Sequence, residues 1–231
     1  MLEENMTLDD YRYAIAKKSL SMGAIRLSPE KPFRWASGYF MPIYNDNRTL
    51  LGDPEARTLI AEAFSLILKE IGFDPQNIAG TSTAGIPHAT TLADKLNKPL
   101  SYVRSSNKDH GLKNQIEGLG KEGSYNNKEV LLIEDLISTG GSSIQAVNAI
   151  REANGQVPYC LAIFSYGTKQ GKEAFENLDP VCKVQTILTY DYVISIAKET
   201  GYIKEDQVEI LQQWSLDPFE WGNKNGFPKE G

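Results

Sequence analysis

Apolar and polar positions alternate at helical spacing in two segments near the start of the chain. Thr7 followed by Asp10 is typical of a helix start, and the amphipathic run behind them predicts a helix over residues 8–21. An N-cap residue and a proline at the first helical position, Asp53 and Pro54, predict the start of a second helix. Apolar residues recur every three or four positions along it: Leu59, Ile60, Ala63, Phe64, Ile67, Leu68 and Ile71.

Short apolar strands and helices then alternate along the middle of the chain. Strands are predicted over residues 78–80, 101–103, 130–133 and 157–165, and helices over 86–97 and 142–154. This alternation is typical of an α/β fold with a central, mostly parallel sheet flanked by helices. Two further helices, over 190–201 and 205–213, follow the sheet, and the turn-rich segment 221–231 is predicted to be a loose tail.

Length and composition fit one domain. The chain has 231 residues, of which 41% are apolar, and neither an internal repeat nor a linker interrupts it. We expect a single domain over residues 1–231. Residues 1–50 would form a small N-terminal hood element, 51–190 the α/β core, and 191–231 the C-terminal helices and tail.

The charge balance and the termini restrict the partners and the location. The chain carries 24 basic and 30 acidic residues, a net charge of −6, which favours neither nucleic acid nor an anionic membrane as a partner. Its two cysteines, Cys160 and Cys182, imply no disulfide framework. The N-terminus lacks the basic and apolar regions of a signal peptide, and no apolar run approaches the roughly 20 residues of a membrane span. We therefore expect a cytoplasmic protein.

The segment from Val130 to Ser143 carries the clearest chemical signal. Its first four residues are apolar and suit a strand buried on both faces, so the polar turn behind them should lie at the carboxyl edge of the sheet. Two glycines, Gly140 and Gly141, let the backbone approach an anion closely. The amides that open the next helix and the hydroxyls of the turn could bind one phosphate group. Those hydroxyls belong to Ser138, Thr139, Ser142 and Ser143.

Two carboxylates precede this turn. Glu134 and Asp135 would repel a phosphate, so their expected partners are neutral donors such as the two hydroxyls of a ribose. Carboxylates and turn together indicate a site for a ribose 5-phosphate. A plain strand-to-helix connection with a serine N-cap is the alternative. The acidic pair argues against it, as do the missing P-loop lysine and dinucleotide glycine spacing.

The segment resembles the signature of the type I phosphoribosyltransferases, in which an acidic pair and a Thr/Ser-Gly-rich loop hold the ribose and 5-phosphate of phosphoribosyl pyrophosphate (PRPP). PRPP also carries a pyrophosphate, which needs a second anion site. One candidate is the turn between Gly80 and His88, which resembles the pyrophosphate loop of that family at Thr83, Ala84 and Gly85. Taken alone, this turn could also be a plain connector.

The second candidate is the segment 104–128, in which the periodicity of strands and helices stops. Arg104, Lys108, His110 and Lys113 lie there within ten residues of an otherwise acidic chain. Such a charge cluster could be only a solvated loop. However, the order Arg-Ser-Ser-Asn-Lys-Asp-His-Gly resembles the catalytic loop of the orotate phosphoribosyltransferases, and residues 33–48 resemble the N-terminal signature of the same family.

The resemblance implies the type I phosphoribosyltransferase fold and an enzyme that joins orotate to PRPP. The products would be orotidine 5′-monophosphate and pyrophosphate, in a step of pyrimidine nucleotide synthesis that requires Mg²⁺. It also implies a homodimer in which a mobile loop reaches the neighbouring subunit's active site, so that an isolated monomer should be nearly inactive. We expect few or no direct protein ligands for the metal, because Mg²⁺ usually keeps waters and binds through substrate phosphates.

Carried over residue by residue, the resemblance assigns the contacts with the substrates. Glu134 and Asp135 would bind the ribose hydroxyls, and Ser138 would also contact orotate. The 5-phosphate would be held by Leu136, Ile137, Ser138, Thr139, Gly140, Gly141 and Ser142. Arg104, Lys108 and His110 would contact the pyrophosphate, where positive charge stabilises the leaving group in the transition state. The expected catalytic residues are these three and Asp135.

Three positions depart from a common form of the family. Ala36, Ala84 and Ser105 stand where other members carry lysines, so any contact that they make with pyrophosphate should involve backbone groups.

Two other functions stay open. One is a transferase of the same fold that acts on a purine base, against which the motifs around Trp35 and Lys108 argue. The other is a non-catalytic PRPP sensor that regulates transcription, for which the sequence offers no evident nucleic-acid surface.

Overall fold

The computed structural model describes residues 6–35, 37–105 and 115–230. It begins with helix α1 (Leu8–Ser21), whose bounds are those predicted, with Thr7 and Asp10 capping each other reciprocally. Two small antiparallel pairs of strands follow. Strand β1 (Ile25–Leu27) pairs with β4 (Ile43–Asn45), and β2 (Phe33–Arg34) pairs with β3 (Phe40–Met41). We call these four the hood strands, and residues 33–35 and 37–41 the hood hairpin.

A 3₁₀ helix (Asn47–Gly52) connects the hood strands to helix α2 (Pro54–Ile71). As predicted, Asp53 caps the start of α2 and the helix ends at Gly72. The central sheet contains β5 (Asn77–Thr81), β6 (Leu100–Val103), β7 (Ile116–Glu117), β8 (Glu129–Ile137), β9 (Gln156–Ser165) and β10 (Lys183–Thr189). Their order is β10-β9-β8-β5-β6-β7, and the pairing is parallel except at the β6–β7 edge. This confirms the predicted α/β class with a mostly parallel sheet.

Helices cover both faces of the sheet. Helices α3 (Gly85–Leu96), α4 (Gly141–Glu152) and α5 (Lys169–Glu176) each follow a parallel strand. In β8, Leu131 and Ile133 belong to the core beneath α2 and α3, whereas Val130 and Leu132 belong to the core beneath α4. All four are fully buried, which explains why the sequence shows a continuous apolar run instead of an alternating one.

The C-terminal part contains α6 (Tyr190–Glu199), α7 (Glu205–Leu216) and the short α8 (Trp221–Lys224). The prediction of a loose tail after α7 is wrong for the part that the structure describes. Trp221 is buried, its ring stacks on Phe227 at 6.2 Å, and the amide of Glu230 donates to the carbonyl of Gly38 at 3.0 Å. The turn-rich composition hid these anchors, because two aromatic residues are enough to dock a short segment.

Among the helices of the described ranges, none is both long and apolar enough to cross a membrane.

Candidate functional site

The carboxyl ends of β5 and β8 lie side by side and place two turns together. Gly80 pairs with Ile133, so the turn after β5 lies beside the acidic pair that follows Ile133. The hydroxyl of Thr81 connects them, donating to the Glu134 carboxylate at 2.7 Å. The structure therefore brings together two of the sites that the sequence predicted separately.

The turn after β8 leaves the start of α4 open to an anion. Gly140 adopts a φ of +83°, which favours glycine, and no side chain caps the helix behind it. A Cβ atom added to Gly141 would meet nothing within 4 Å. The hydroxyl of Thr168 stabilises the turn by donating to the carbonyl of Ser138 at 2.8 Å. Uncapped amides and open space are the features of an anion site at a helix start.

Glu134 is buried and accepts four hydrogen bonds from the protein itself. One carboxylate oxygen accepts from Thr81 at 2.7 Å and from the amide of Asp135 at 3.1 Å. The other accepts from the hydroxyls of Ser143 at 2.9 Å and Ser142 at 3.3 Å. A carboxylate offers about four acceptor positions, so a ribose could reach Glu134 only if one of these donors turned away. The two serine hydroxyls, expected at the phosphate, are directed to this carboxylate.

Asp135 is the more accessible member of the acidic pair. Burial, followed by the nearby charge of Glu134, raises the pKa of Asp135 to about 7. Its main-chain oxygen accepts from the side-chain amide of the buried Asn47 at 2.7 Å. Asn47 thus ties the segment after the hood strands to the acidic pair. Sequence reasoning missed this contact, because the two residues lie 88 positions apart.

The turn after β5 is packed tightly against the sheet. Both the amide and the hydroxyl of Ser82 donate to the carbonyl of Val103, at 2.9 and 2.8 Å. A Cβ atom on Gly85 would lie 2.4 Å from the oxygens of both Ile133 and Thr81, so only glycine fits there. Thr83, which follows a cis peptide bond, is exposed beside the acidic pair. The turn is therefore exposed at Thr83, whereas Ser82 and Gly85 are held against the sheet.

Arg104 lies where the cationic segment leaves the sheet. Its amide donates to the carbonyl of Gln115 at 2.9 Å, and the Gln115 side chain donates back to the carbonyl of Arg104 at 2.7 Å. The guanidinium is half-buried and 3.6 Å from the carboxylate of Glu117. These contacts fix both ends of the segment near the turn after β5. The predicted residues Lys108, His110 and Lys113, and also Ala36, lie outside the described residues.

The hood hairpin covers the same edge of the sheet. The ring of Trp35 lies 5.3 Å from the ring of Tyr166, just after β9, and its indole donates to the carbonyl of Ile43 at 3.0 Å. Tyr166 in turn donates its amide to the carbonyl of Ile137. Neither aromatic residue was among the predicted site residues. No local pattern indicates their contact, which depends on the path of the chain between the hood and β9.

Metal ligands are sparse in this arrangement. Across the residues described, no group of three or more His, Cys, Asp or Glu side chains could hold a metal ion. Glu134 is occupied by protein donors, which leaves Asp135 as the accessible carboxylate of the pair. This donor set fits a magnesium ion that is bound mainly through substrate oxygens, because Mg²⁺ keeps several waters and needs few protein ligands.

Comparison with known proteins agrees with this geometry. A model of the phosphoribosyl transferase domain matches residues 47–196. An orotate phosphoribosyltransferase of Listeria monocytogenes is 43% identical over 208 residues, which cover 90% of this chain and 97% of that protein. The chain belongs to the orotate phosphoribosyltransferase family. A second member, from Staphylococcus saprophyticus, is 45% identical over 201 residues, or 87% of this chain and 96% of that protein.

A solved structure supports the same assignment. The crystal structure of orotate phosphoribosyltransferase from Aeropyrum pernix superposes with a TM-score of 0.65 at 26% identity, covering 82% of this chain and 99% of that one. In this member of the orotate phosphoribosyltransferase family, the domain match contains the acidic pair and the turns after β5 and β8. The hood strands and helices α7 and α8 lie outside it.

Proposed function

We propose that the protein transfers the phosphoribosyl group of PRPP to orotate, a step of pyrimidine nucleotide synthesis. The bond between C1 of the ribose and the pyrophosphate breaks, a bond from C1 to a ring nitrogen of orotate forms, and pyrophosphate leaves with the electron pair. One observation carries the proposal: in a member of this family, the carboxylate of Asp135 lies beside an uncapped helix start and beside the turn after β5.

The geometry suggests how PRPP would bind. The amides at the start of α4, with the turn from Leu136 to Ser142, would hold the 5-phosphate. Asp135 would accept hydrogen bonds from the ribose hydroxyls. Glu134 would orient the turn through Ser142 and Ser143, and would reach the ribose itself only if one of those hydroxyls moved. Ser138 follows Ile137, whose carbonyl accepts from the amide of Tyr166, and is proposed to contact orotate.

The pyrophosphate would occupy the other anion site. The backbone of Thr83, Ala84 and Gly85 would bind it, together with Arg104. Lys108 and His110 complete the proposed set of cations. As the bond at C1 breaks, positive charge develops on the ribose and negative charge on the leaving group, so these cations stabilise the transition state more than the ground state.

We further propose that the enzyme depends on magnesium, works as a homodimer and is cytoplasmic. Magnesium, when bound with PRPP, would supply positive charge to the pyrophosphate oxygens. Asp135 is the carboxylate best placed to assist in holding it, directly or through water. The homodimer follows from the family resemblance of the segment around Lys108, which would serve the site of the neighbouring subunit.

A direct assay tests the proposed function. Purified protein is mixed with PRPP, Mg²⁺ and orotate, and the loss of orotate absorbance is followed; adenine and hypoxanthine serve as competing bases, and Asp135→Asn as the variant with weakened PRPP binding. We expect turnover when the base is orotate, and none when it is adenine or hypoxanthine. Turnover with a purine only would assign the protein to a different transferase, and PRPP binding without turnover on any base would make it a sensor.

A further inference from the structure

The C-terminal segment packs on the hood hairpin through aromatic rings. We call residues 219–230 the C-terminal strap. The ring of Phe219 lies 5.3 Å from that of Tyr39, edge to face, and the ring of Phe227 lies 6.1 Å from that of Phe40. On its other side, Phe227 stacks on the buried Trp221 with an interplanar angle of 10°. The strap therefore has its own anchor and presents aromatic groups to the hairpin.

Polar contacts extend the strap to the tip of the hairpin. The amide of Glu230 donates to the carbonyl of Gly38 at 3.0 Å, and its carboxylate lies 3.0 Å from the guanidinium of Arg34. The ammonium of Lys229 lies 4.4 Å from the ring centroid of Tyr39. Gly38 has a φ of +82°, and a Cβ atom on it would lie 1.9 Å from the carbonyl oxygen of Glu230. Strap and hairpin thus touch backbone to backbone at a position that only glycine permits.

The hairpin has little to hold it in place by itself. Its two strands pair over only two residues each, Phe33 with Met41 and Arg34 with Phe40. An isolated two-stranded hairpin is marginally stable in water even when it is longer. Outside the strap, it is anchored at Met41, which is buried and accepts from the indole of Trp214 in α7 at 3.0 Å. Trp35, through Tyr166 and Ile43, and Phe33, whose ring lies 5.8 Å from that of Tyr44, are further anchors. None of these three residues is at the tip, Gly38. The tip of the hairpin therefore depends on the strap.

Near its tip, the hairpin faces the site through Trp35. Trp35 contacts Tyr166, which is bonded through its amide to Ile137, the residue before Ser138. The hairpin consequently lies over the carboxyl ends of β8 and β9, close to where the base must meet C1 of the ribose. The contacts of the strap described above are with the hairpin and within the strap itself, and none of them involves the turn after β8, which carries the groups proposed for the ribose and the 5-phosphate.

We propose that the C-terminal strap is a positioning element for the base: it fixes the hood hairpin so that Trp35 forms one wall of the orotate site. The inference rests on the proposed function and extends it. Loosening the strap should weaken the use of orotate, whereas PRPP, held by β8 and α4, should be affected little.

The central test variant is Phe227→Ala, supported by Gly38→Ala. Two matched controls exist. Lys224→Ala removes a side chain of the strap that pairs with Asp217 and not with the hairpin. Gly201→Ala places a side chain at a similar φ, +70°, where nothing lies within 4 Å, and so reproduces the backbone strain of Gly38→Ala without its clash. Phe227→Leu, which keeps apolar volume, replaces Phe227→Ala if the latter fails to fold.

Two readouts are measured on the full chain: hydrogen exchange of residues 33–41, and KM and kcat with each substrate. For Phe227→Ala and Gly38→Ala we expect exchange in the hairpin to accelerate about tenfold and KM for orotate to rise about tenfold. KM for PRPP should stay within about twofold, and both controls should match the wild type.

Distinct outcomes overturn distinct parts of the inference. Unchanged hairpin exchange in Phe227→Ala would show that the strap does not hold the hairpin. Faster exchange with an unchanged KM for orotate would remove its role in the site, and an equal rise in KM for both substrates would make the strap a general structural element. If the wild type fails to use orotate, the proposed function falls, while the exchange measurement still decides whether the strap holds the hairpin.

Discussion

Glu134 illustrates how a single residue can shape a site without being open to the ligand. Its carboxylate is surrounded by Thr81, Ser142, Ser143 and the amide of Asp135, and its charge helps to raise the pKa of Asp135. A raised pKa means that Asp135 binds a proton as the pH falls below about 7. A protonated Asp135 would be a poorer acceptor for ribose hydroxyls, so PRPP binding should weaken over that range.

Glu134→Gln should move this dependence. Without the neighbouring charge, the pKa of Asp135 falls, so PRPP affinity should persist to lower pH than in the wild type. The side-chain amide introduced by this substitution would also place an NH₂ group against a hydroxyl that had donated to the carboxylate. The lost hydrogen bond costs about 1–3 kcal/mol of stability. Calorimetric titration with PRPP from pH 5 to 8.5 measures the PRPP affinity of the wild type and of the variant. Protonation of PRPP itself affects the two equally, and identical pH profiles would show that Glu134 does not control Asp135.

His88 provides a second test at this scale. It is buried in α3, and its Nε2 atom has no hydrogen-bond partner among the residues described. Burial, and then the charge of Arg57, lowers the pKa of His88 to about 4. Between the ordinary histidine pKa of about 6.5 and this value, the unfolded chain binds a proton that the folded chain does not, so stability falls as the pH falls.

We expect this loss to reach about 3 kcal/mol by pH 4, at about 1.4 kcal/mol per pH unit. His88→Gln should lack it. Urea unfolding of both proteins at several pH values between 4 and 7.5 measures the difference, in which the contributions of other titrating groups cancel. Parallel curves for the two proteins would mean that His88 titrates normally.

At the scale of elements, the starts of α3 and α4 look alike in sequence but differ in packing. Gly85 is pressed against Ile133 and Thr81, whereas Gly141 faces open space. Gly85→Ala should therefore destabilise the fold by about 1–3 kcal/mol, as overpacking does. Gly141→Ala should leave stability unchanged or raise it by about 0.5 kcal/mol, yet weaken PRPP binding because a methyl group enters the phosphate site.

Thermal unfolding and PRPP titration of both variants separate the two effects. Equal destabilisation by the two substitutions would contradict the difference in packing. Undiminished PRPP binding by Gly141→Ala would place the 5-phosphate elsewhere.

An element could be predicted from the sequence where the residues that define it are close together in the chain. Helices α1 and α2 were predicted at their bounds, because caps such as Thr7 and Asp53 act within one turn. Strand β8 was found from its buried run, although it extends to Ile137. The hood hairpin and α5 were not predicted. A hairpin of two-residue strands has too short a pattern to detect, and it forms through contacts with residues almost two hundred positions away.

The site shows the same limit. The acidic pair and the turn behind it could be predicted from the sequence, because the residues are contiguous. Their side-chain directions could not. Ser142 and Ser143 point to Glu134 because Thr81 and the helix start fix that carboxylate, an arrangement that needs the pairing of β5 with β8.

At the scale of the whole molecule, the proposed homodimer makes a quantitative prediction. If Lys108 serves the partner's site, mixing Lys108→Ala subunits with Asp135→Asn subunits creates dimers with one intact site, formed by the Asp135 of one chain and the Lys108 of the other. Random exchange makes half of the dimers mixed, so activity should recover to about a quarter of the wild-type value. Each variant alone should be nearly inactive.

The assay requires subunit exchange, which mixed isotope labelling and native mass spectrometry can verify. Mixed dimers that stay inactive would show that Lys108 acts within its own chain. The described residues near Arg104 would then have to direct the segment to the site of the same subunit.

The contact of Trp35 with Tyr166 gives the protein a built-in optical label. Trp214 and Trp221 are buried far more completely than Trp35, which stands at the rim of the site. Emission from Trp35 should consequently respond to a base or nucleotide entering beneath it, while the other two indoles report a constant background. Ligand occupancy could then be followed in real time by intrinsic fluorescence, with neither a radioactive substrate nor an attached dye.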